Sequence, residues 1–593
     1  MPALASWLKP LNNASPRKKR GTQPPKNSQQ SHSQICTGFV TLELRRSRNS
    51  PFFQGFDGWT AVVIAIAGLL AVPVLLVGTS IFAEAGQVWQ HLAETVLAEY
   101  LLNSGWLLLG VGVGTFAIGV GTAWLVTACR FPLSRLWEGL LLLPLAAPAY
   151  LLAYTYTEML DYYGPVQSWL RSLFGWQSVQ DYWFPDIRCL GGAIFMLVLV
   201  LYPYVYLLAR AAFLEQAECT REASRCLGCN PWQSFLTVAL PLARPAIAAG
   251  VALALMETLN DFGTVQYFGV NTFTTGIFRT WYDLGEPLAA AQLAAMLMVL
   301  ILGLILLERG SRRQARYYQT RQATSSPSPY VLPPLPAFLA AIACLLPVVL
   351  GFVLPTLYLL HLSWYYAEEA FGSSFWPLAR NSLLLAAITA AIAVGLSLIL
   401  AYGLRLRPNW GMGLAVRVAA LGYAIPGSAI AVGTMIPLGR LDNLLDSWLR
   451  ASLGISTGLL LSGTVIALVF AYLVRFQAVS LGAVESSLTK IKPSLDDAAR
   501  SLGYGTGETL WNVHVPLMWG GTLTGIMLVF VDVMKELPAT LVIRPFNFDT
   551  LAIRVFQYAS DERLVEAAAP ALAIILVGLA PVLVLCWRVT RKR

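Results

Sequence analysis

Long apolar stretches recur along the whole chain and are separated by shorter polar connections. A bilayer core is crossed by about 20 residues of helix, because backbone polar groups inside it must be satisfied within the segment. The pattern therefore predicts an all-α integral membrane protein with about twelve transmembrane helices. The predicted spans lie near residues 59–83, 105–128, 137–158, 190–213, 242–262, 289–308, 335–360, 383–403, 413–436, 456–476, 520–542 and 569–588.

The composition agrees with a chain that is mostly embedded in a membrane. Of its 593 residues, 56% are hydrophobic and only 12% are charged, and the mean hydropathy is +0.61. A soluble globular protein carries roughly twice that charged fraction, so a soluble enzyme of several domains is excluded. The first apolar stretch is longer than the core of a cleavable signal, which is roughly 7–15 residues, and it is predicted to remain as a span.

The distribution of basic residues predicts the orientation, because Lys and Arg accumulate in cytoplasmic loops. Of the 41 Lys and Arg residues, 31 lie on one side, which includes a basic tail at 1–56 that is predicted to be disordered and cytoplasmic, a linker at 309–334 and the carboxyl end. Residues 84–104 on the other side contain acidic residues and no basic one. Both termini are predicted to be cytoplasmic. The net charge of +9 is explained by this topology, so no nucleic-acid partner is expected.

One polar loop occurs twice, 275 positions apart. The first copy reads E-A-S-R-C-L-G at Glu222–Gly228 and then V-A-L-P at 238–241. The second reads D-A-A-R-S-L-G at Asp497–Gly503 and then V-H-V-P at 513–516. A repeat of this length predicts two homologous halves. We place the first transmembrane domain at residues 57–308 and the second at residues 335–593, joined by the cytoplasmic linker 309–334.

Each copy of the loop predicts a short helix, a turn and a second helix that re-enters the membrane. Its alanines favour helix without adding bulk, its glycine permits a turn that a Cβ would resist, and its proline suits the first turn of a helix. The candidate coupling residues are Glu222, Ala223, Gly228, Pro241, Asp497, Ala498, Gly503 and Pro516.

The loop resembles the E-A-A-x-x-x-G-x9-I-x-L-P loop of the permease subunits of binding-protein-dependent ABC importers. The copies depart from that pattern at positions that keep size or charge, namely Ser224, Val238, Asp497, Val513 and Val515. The resemblance implies the type I ABC importer permease fold in a bacterial inner membrane. It also implies a coupling helix that docks on a cytoplasmic ABC ATPase, with two ATPase copies expected for two loops.

A narrower resemblance concerns the cargo. Residues 156–167, 261–270 and 535–551 resemble the fused, two-domain permeases of ferric-iron importers. This implies that ferric iron is delivered by a periplasmic ferric-iron-binding protein. Related fused permeases carry thiamine or phosphonates, which remain alternative cargoes. A secondary transporter is the alternative class, because it also uses twelve spans and internal repeats.

ATP hydrolysis by this chain is not expected. A phosphate-binding loop requires a Gly-Lys-Ser/Thr sequence, and no lysine here follows a glycine. The chain is therefore predicted not to be an enzyme and to bind no cofactor, with ATP used by the partner subunit. A resident metal site is not expected either, because the four histidines are far apart and Cys219, Cys226 and Cys229 have no fourth ligand nearby.

Ionisable residues inside spans are costly and usually face a cavity or a partner. Glu257 and Asp261 lie four residues apart, so they share one helix face. Asp532, Lys535 and Glu536 occupy the matching span of the second half. These carboxylates are candidates for the translocation pathway, since hard oxygen ligands suit Fe³⁺. The alternative is that Lys535 neutralises them in a structural ion pair.

A second candidate site lies at the outer end of the third span, where Tyr156, Glu158 and Asp161 cluster as a possible outer mouth. Phenolate and carboxylate groups are ferric ligands in principle, although tyrosine at a membrane interface is more often an anchor.

Two further features concern packing. Glycines in the second span predict close helix contact, and Pro148 and Pro426 are predicted to kink their spans.

Overall fold

The computed structural model describes residues 58–83, 86–216, 224, 226–228, 230–313 and 330–591. The predicted tail at 1–56 and most of the predicted linker therefore lie outside the described residues. The helices of the first half are α1 Gly58–Ser80, α2 Gly86–Thr95, α3 Leu97–Ala128, α4 Ser134–Leu140, α5 Ala149–Leu160, α6 Pro165–Phe174, α7 Leu190–Glu215, α8 Pro231–Ser234, α9 Leu240–Asn260, α10 Gly263–Tyr267, α11 Phe273–Tyr282 and α12 Pro287–Arg313.

The helices of the second half follow the same order. They are α13 Pro334–Val348, α14 Leu354–Tyr365, α15 Ala367–Ala370, α16 Phe375–Leu406, α17 Trp410–Ala419, α18 Gly427–Leu453, α19 Val465–Leu488, α20 Ser494–Ser501, α21 Thr506–Thr509, α22 Val515–Leu517, α23 Trp519–Met534, α24 Pro538–Ile543, α25 Leu551–Ser560 and α26 Leu564–Arg591. Short 3₁₀ segments are Leu143–Ala146, Val179–Asp181 and Leu421–Ala424, and π-helical turns are Phe235–Ala239, Val349–Val353 and Leu510–His514. The strands are β1 Cys129–Arg130 and β2 Tyr330–Val331.

Membrane-spanning helices dominate the part of the chain that the structure describes. Nine helices there are long and apolar enough to cross a bilayer, and two further pairs qualify if each bent pair is one span. All nine fall on predicted spans, and the two bent pairs fall on two more, so the prediction of an all-α, multi-span protein is confirmed. The predicted span at 413–436 corresponds to neither group within the described residues. The bent pairs are Ser134–Ala146 with Ala149–Phe174, and Thr506–Leu517 with Trp519–Met534.

The third span of each half is broken rather than kinked. A residue before proline is pushed out of the helical region, and Ala147 and Ile425 are both extended, with φ of −104° and −103°. The helix restarts immediately after Pro148 and Pro426, which serve as the N-terminal caps of α5 and α18. In the first half the two segments meet at 88°. The predicted kink is therefore a complete interruption, and it occurs in both halves at prolines that correspond at an offset of 278 in this upstream part of the repeat.

The two halves are interleaved. Helix α1, from the first half, packs against α17 and α18 of the second, while α13 and α14 pack against α3, α4 and α5 of the first. The described end of the linker contributes to this exchange, because β2 pairs in parallel with β1 at the end of α3. The Tyr156 hydroxyl donates to the Leu350 carbonyl at 2.6 Å and joins α5 to the first span of the second half.

Glycines bring α3 and α7 into close contact. A Cβ placed on Gly119 would lie 2.7 Å from the Val205 Cβ and 2.9 Å from the Tyr202 carbonyl oxygen. Gly114 meets Val198 in the same way. Close approach of small residues gives helix packing inside a membrane its dispersion energy. The glycine pattern in the second span therefore marks a real helix contact.

We expect Gly119→Ala to destabilise the protein, because backbone atoms of α7 block the added methyl group. Overpacking of this kind costs about 1–3 kcal/mol. The matched control is Gly121→Ala on the same helix, where a Cβ meets nothing within 4 Å. Thermal unfolding of the purified protein in detergent measures both. Equal melting temperatures for the two variants would contradict the packing assigned here.

Candidate functional site

A polar cavity of about 150 Å³ lies where the broken third spans meet the centre of the molecule. Residues from both breaks reach it, including Pro148 and Tyr423. All five residues predicted to form the translocation pathway also line it, namely Glu257, Asp261, Asp532, Lys535 and Glu536. The structure therefore brings together residues that are 275 positions apart in the sequence.

The second half neutralises its own carboxylates within this cavity. The Lys535 Nζ atom lies 3.0 Å from Asp532 Oδ1, and the Arg475 Nη1 atom lies 2.9 Å from Glu536 Oε1. Glu536 is almost fully buried, with a side-chain exposure of 2%. A buried charge needs such compensation, because its removal from water otherwise costs several kcal/mol. Lys535 thus forms the predicted structural ion pair with Asp532. Glu536 pairs instead with Arg475, which the sequence did not suggest.

Asp261 and Glu536 share a second task, since each caps the short helix that follows it. Asp261 accepts hydrogen bonds from the Thr264 and Val265 amides at 3.1 and 3.2 Å. Glu536 accepts bonds from the Ala539 and Thr540 amides at 3.0 and 3.1 Å. Free amides at a helix start are ready donors for a carboxylate. Both residues are therefore fixed in orientation by the backbone of α10 and α24.

The first half supplies its carboxylates without fixed cations. Among the described residues, no Lys or Arg nitrogen lies within 4 Å of the carboxylate oxygens of Glu257 or Asp261. Tyr423 lies beside Glu257, and Arg475 and Lys535 act on it only across a longer distance. The cavity is consequently asymmetric, with a compensated wall from the second half and an uncompensated wall from the first.

Sequence reasoning missed two polar residues of the cavity. Arg475 stands 275 positions after Val200, which also lines the cavity, so an arginine inside an otherwise apolar span was the available signal. Asn260 is 6% exposed, and its Oδ1 atom has no hydrogen-bond partner in the described structure. It stands at the repeat position of Lys535, so a comparison of the halves position by position would have identified it.

The three residues of the predicted outer mouth differ in exposure. Tyr156 is 5% exposed, and its hydroxyl bonds to a backbone carbonyl. Glu158 and Asp161, in contrast, are exposed. The described residues contain no group of three or more His, Cys, Asp or Glu side chains that could hold a metal ion. Tyr156 therefore acts in packing between the halves, and the proposed roles of Glu158 and Asp161 remain predictions.

The second coupling loop has the predicted helix, turn and re-entering helix. Helix α20 covers Ser494–Ser501, Gly503 has a φ of +84°, and the chain re-enters through Thr506–Leu517 before an 80° bend. Ala499 packs inward, while Asp497 and Ala498 are exposed. A positive φ favours glycine, because a Cβ is strained there.

A buried acid fixes this loop to the spans beside it. Asp496 accepts two hydrogen bonds from the Arg405 guanidinium, at 2.9 and 2.7 Å, and pairs with His514 Nε2 at 2.5 Å. Arg405 also donates to the carbonyls of Leu488 and Ile491. Both Arg405 nitrogens donate to the same oxygen, Asp496 Oδ2, and these charge-assisted bonds are stronger than neutral ones. These contacts therefore hold the loop against α16 and α19, and its outer face remains exposed.

The first coupling loop is described only in part, because Glu222 and Ala223 lie outside the described residues. Gly228 has a φ of +82°, matching Gly503. The leucine before each glycine is an exposed apolar side chain, with Leu227 at 84% and Leu502 at 78% exposure. Sequence reasoning missed this pair, although both occupy the same repeat position in an otherwise polar loop.

The prolines of both loops stand where predicted. Pro241 lies in the first turn of α9, and Pro516 lies in the first turn of α22. Proline is tolerated there because the missing N–H would have no partner in the helix. The two helices that carry the cavity residues, α9 and α23, thus begin beside the coupling loops.

Comparison with known proteins agrees with this architecture. Residues 115–315 match the family described as the inner membrane component of binding-protein-dependent transport systems. Over 546 residues the chain is 24% identical to the Fe(3+)-transport system permease protein FbpB 2 of Haemophilus influenzae, covering 89% of this chain and 97% of that protein. Over 586 residues it is 21% identical to the ferric transport system permease protein FbpB of Actinobacillus pleuropneumoniae, covering 94% and 81%.

Over shorter segments, the chain is also similar to permeases that are named for other cargoes. The chain is 30% identical over 193 residues to the sulfate transport system permease protein CysT of Escherichia coli, covering 31% of this chain and 64% of that protein. The family match lies almost entirely in the first half, and the two FbpB relatives extend over both halves. With its repeated loops and spanning helices, the chain is similar over both halves to inner-membrane permeases of binding-protein-dependent transport systems.

Proposed function

We propose that the chain is the permease of an ABC importer that moves ferric iron across the inner membrane. The observation that carries this proposal is the uncompensated wall of the cavity. Glu257 and Asp261 line a buried space between the halves, and no described Lys or Arg nitrogen lies within 4 Å of their oxygens. Carboxylate oxygens attract a small, highly charged cation. The names of the two relatives that cover most of the chain support the same cargo.

The cavity fits passage rather than storage of the cation. Asp532 and Glu536 are already paired with Lys535 and Arg475, so the second half offers little additional negative charge. Two carboxylates with a few neutral oxygens would contact a cation without forming a complete ligand set. A permease with such weak contacts can release its cargo when the cavity opens. Firm capture is then the task of a periplasmic ferric-iron-binding protein.

The energy for transport comes from a cytoplasmic ABC ATPase in this proposal. Each coupling loop would contact one ATPase subunit, so two ATPase copies would bind one fused permease. The exposed Leu227 and Leu502 supply apolar contacts beside turns with positive φ. With the loops in the cytoplasm, both termini are cytoplasmic as well. ATP acts only in the partner, and this chain holds no cofactor of its own.

The direct test is uptake of radioactive ferric iron into proteoliposomes that contain the permease and its ATPase, with the loaded binding protein outside. We expect uptake that requires both ATP and the binding protein. Sulfate, thiamine and phosphonate are offered in parallel, since related permeases carry other cargoes. Uptake of one of these without iron uptake would contradict the assignment of the cargo. Iron uptake that persists without ATP and collapses with the proton gradient would indicate a secondary transporter.

A second prediction concerns the coupling surface. We expect Leu502→Asp, and equally Leu227→Asp, to weaken ATPase association by about tenfold or more, because an exposed leucine at an interface centre becomes a charge. The side chains are exposed, so folding is unaffected. Co-purification with the ATPase and ATP-driven uptake measure the effect.

The control for this prediction is Leu459→Asp. Leu459 is 64% exposed and lies in the connection between α18 and α19, at the opposite end of α19 from the second coupling loop. Its substitution makes the same chemical change on the other side of the membrane. Equal ATPase association for all three variants would show that the coupling surface is assigned wrongly.

A further inference from the structure

The two walls of the cavity correspond residue by residue, because the repeat offset of 275 continues through them. Glu257 corresponds to Asp532, Asn260 to Lys535, and Asp261 to Glu536. The two acids at each end of this segment are thus kept in both halves. Of these three positions, only the one between the acids changes in charge, from a neutral amide to a cation. Together with Arg475, which stands at the repeat position of Val200, this difference places the fixed positive charge of the cavity in the second half.

In the second half, the lysine satisfies the acid one helical turn before it. The Lys535 Nζ atom lies 3.0 Å from Asp532 Oδ1, and both side chains are partly buried. In the first half, Asn260 stands at the lysine position and makes no comparable contact. Asn260 is more than nine-tenths buried, lines the same cavity, and its Oδ1 atom has no hydrogen-bond partner in the described structure.

A buried amide oxygen without a partner normally destabilises a protein, so such atoms require an explanation. Here the residue lines the cavity one helical turn from Glu257, and rotation of the amide about its last side-chain torsion can turn the oxygen toward the cavity. The amide oxygen and the Glu257 carboxylate then provide oxygen ligands on one wall. Such a wall suits a cation and disfavours an anion.

We propose that Asn260 and Glu257 form the contact site for the cargo cation, and that Lys535 is a tethered counter-ion at the equivalent place in the second half. Because the two halves are repeats, the position of the Lys535 ammonium beside Asp532 indicates where the cargo cation would lie beside Glu257. The inference rests on the proposed function and adds the residues that meet the cargo. Asn260 is a positioning and specificity residue in this scheme, and Lys535 keeps the cation on one wall.

The residues that line the cavity include the charged groups around position 260. Carboxylates are contributed by α9 and the turn after it, and by the end of α23 and the turn after it. Cations are contributed by α19 and by the turn after α23. The titratable residues concerned are Glu257, Asp261, Asp532, Glu536, Lys535, Arg475, Tyr150, Tyr204 and Tyr423. A new positive charge at position 260 would act chiefly on Glu257, because the second-half acids already have cation partners within 4 Å.

The experiment compares Asn260→Lys with Asn260→Met in the complete transporter, using iron uptake into proteoliposomes. The two new side chains have similar length, so their difference isolates the charge. We expect Asn260→Lys to reduce uptake by about tenfold or more, because a fixed cation then neutralises Glu257. Asn260→Met should lose clearly less. Equal losses in both variants, or no loss with lysine, would overturn the proposal.

A titratable variant covers the case in which Asn260→Lys fails to assemble. Asn260→His is close to asparagine in size, and histidine changes charge near pH 6.5 in its ordinary state. We expect the ratio of variant to wild-type uptake to fall by about fivefold or more between pH 8 and pH 6, as the imidazole becomes charged. A ratio that is independent of pH would overturn the proposal.

The outcomes separate this inference from the proposed function. If wild-type transporter moves no iron under any condition, the proposed function fails. If wild type moves iron but lysine and methionine at position 260 behave alike, only the contact site fails. If sulfate is transported and Asn260→Lys increases its uptake, the wall binds an anion and both are overturned.

Discussion

A carboxylate buried in a membrane protein must be met by a counter-charge or by hydrogen-bond donors, and the cavity is organised by that requirement. Glu536 receives both, from Arg475 and from the backbone of α24. Asp261 receives donors alone, from α10. Glu257 has Tyr423 and the field of more distant cations. The same pair of acids is thus treated differently in each half, and a duplicated sequence produces a cavity with two unlike walls.

The helix breaks make this arrangement possible. An unbroken third span would place apolar side chains and a closed backbone beside the acids. The extended residues Ala147 and Ile425 instead open the helix at the cavity, and α5 and α18 begin there. Irregular backbone is tolerated at membrane depth only where it lines a cavity or is buried in protein. The prolines therefore have a defined consequence, because they place the interruption at the level of Glu257 and Asp532.

Periodicity, the repeat and the loop motif predicted much of the molecule. Nine spans, two homologous halves and the helix–turn–helix of the second coupling loop follow from patterns that are local or repeated. The interleaving of the halves could not be predicted, because it depends on which surfaces meet across hundreds of residues. The contact between Arg475 and Glu536 could not be predicted for the same reason, because the two residues are 61 positions apart. The complete break at Pro148 was underestimated as a kink, since proline alone does not reveal whether neighbouring helices fill the gap.

The path from the coupling loops to the cavity is direct in both halves. In the second, α23 starts at the bend after the re-entering segment and ends at Met534, beside Lys535 and Glu536. At 1.5 Å per residue a helix of this length spans about 24 Å, and it moves as a stiff element. In the first half, the span Pro231–Asn260 runs without a sharp bend from the loop to Asn260. A displacement of either loop must therefore reach the cavity wall that its helix carries. One connection is straight and the other is bent by 80°, so the uncompensated and the compensated walls are joined to their loops by different geometries, and the asymmetry of the cavity continues into the helices that carry it.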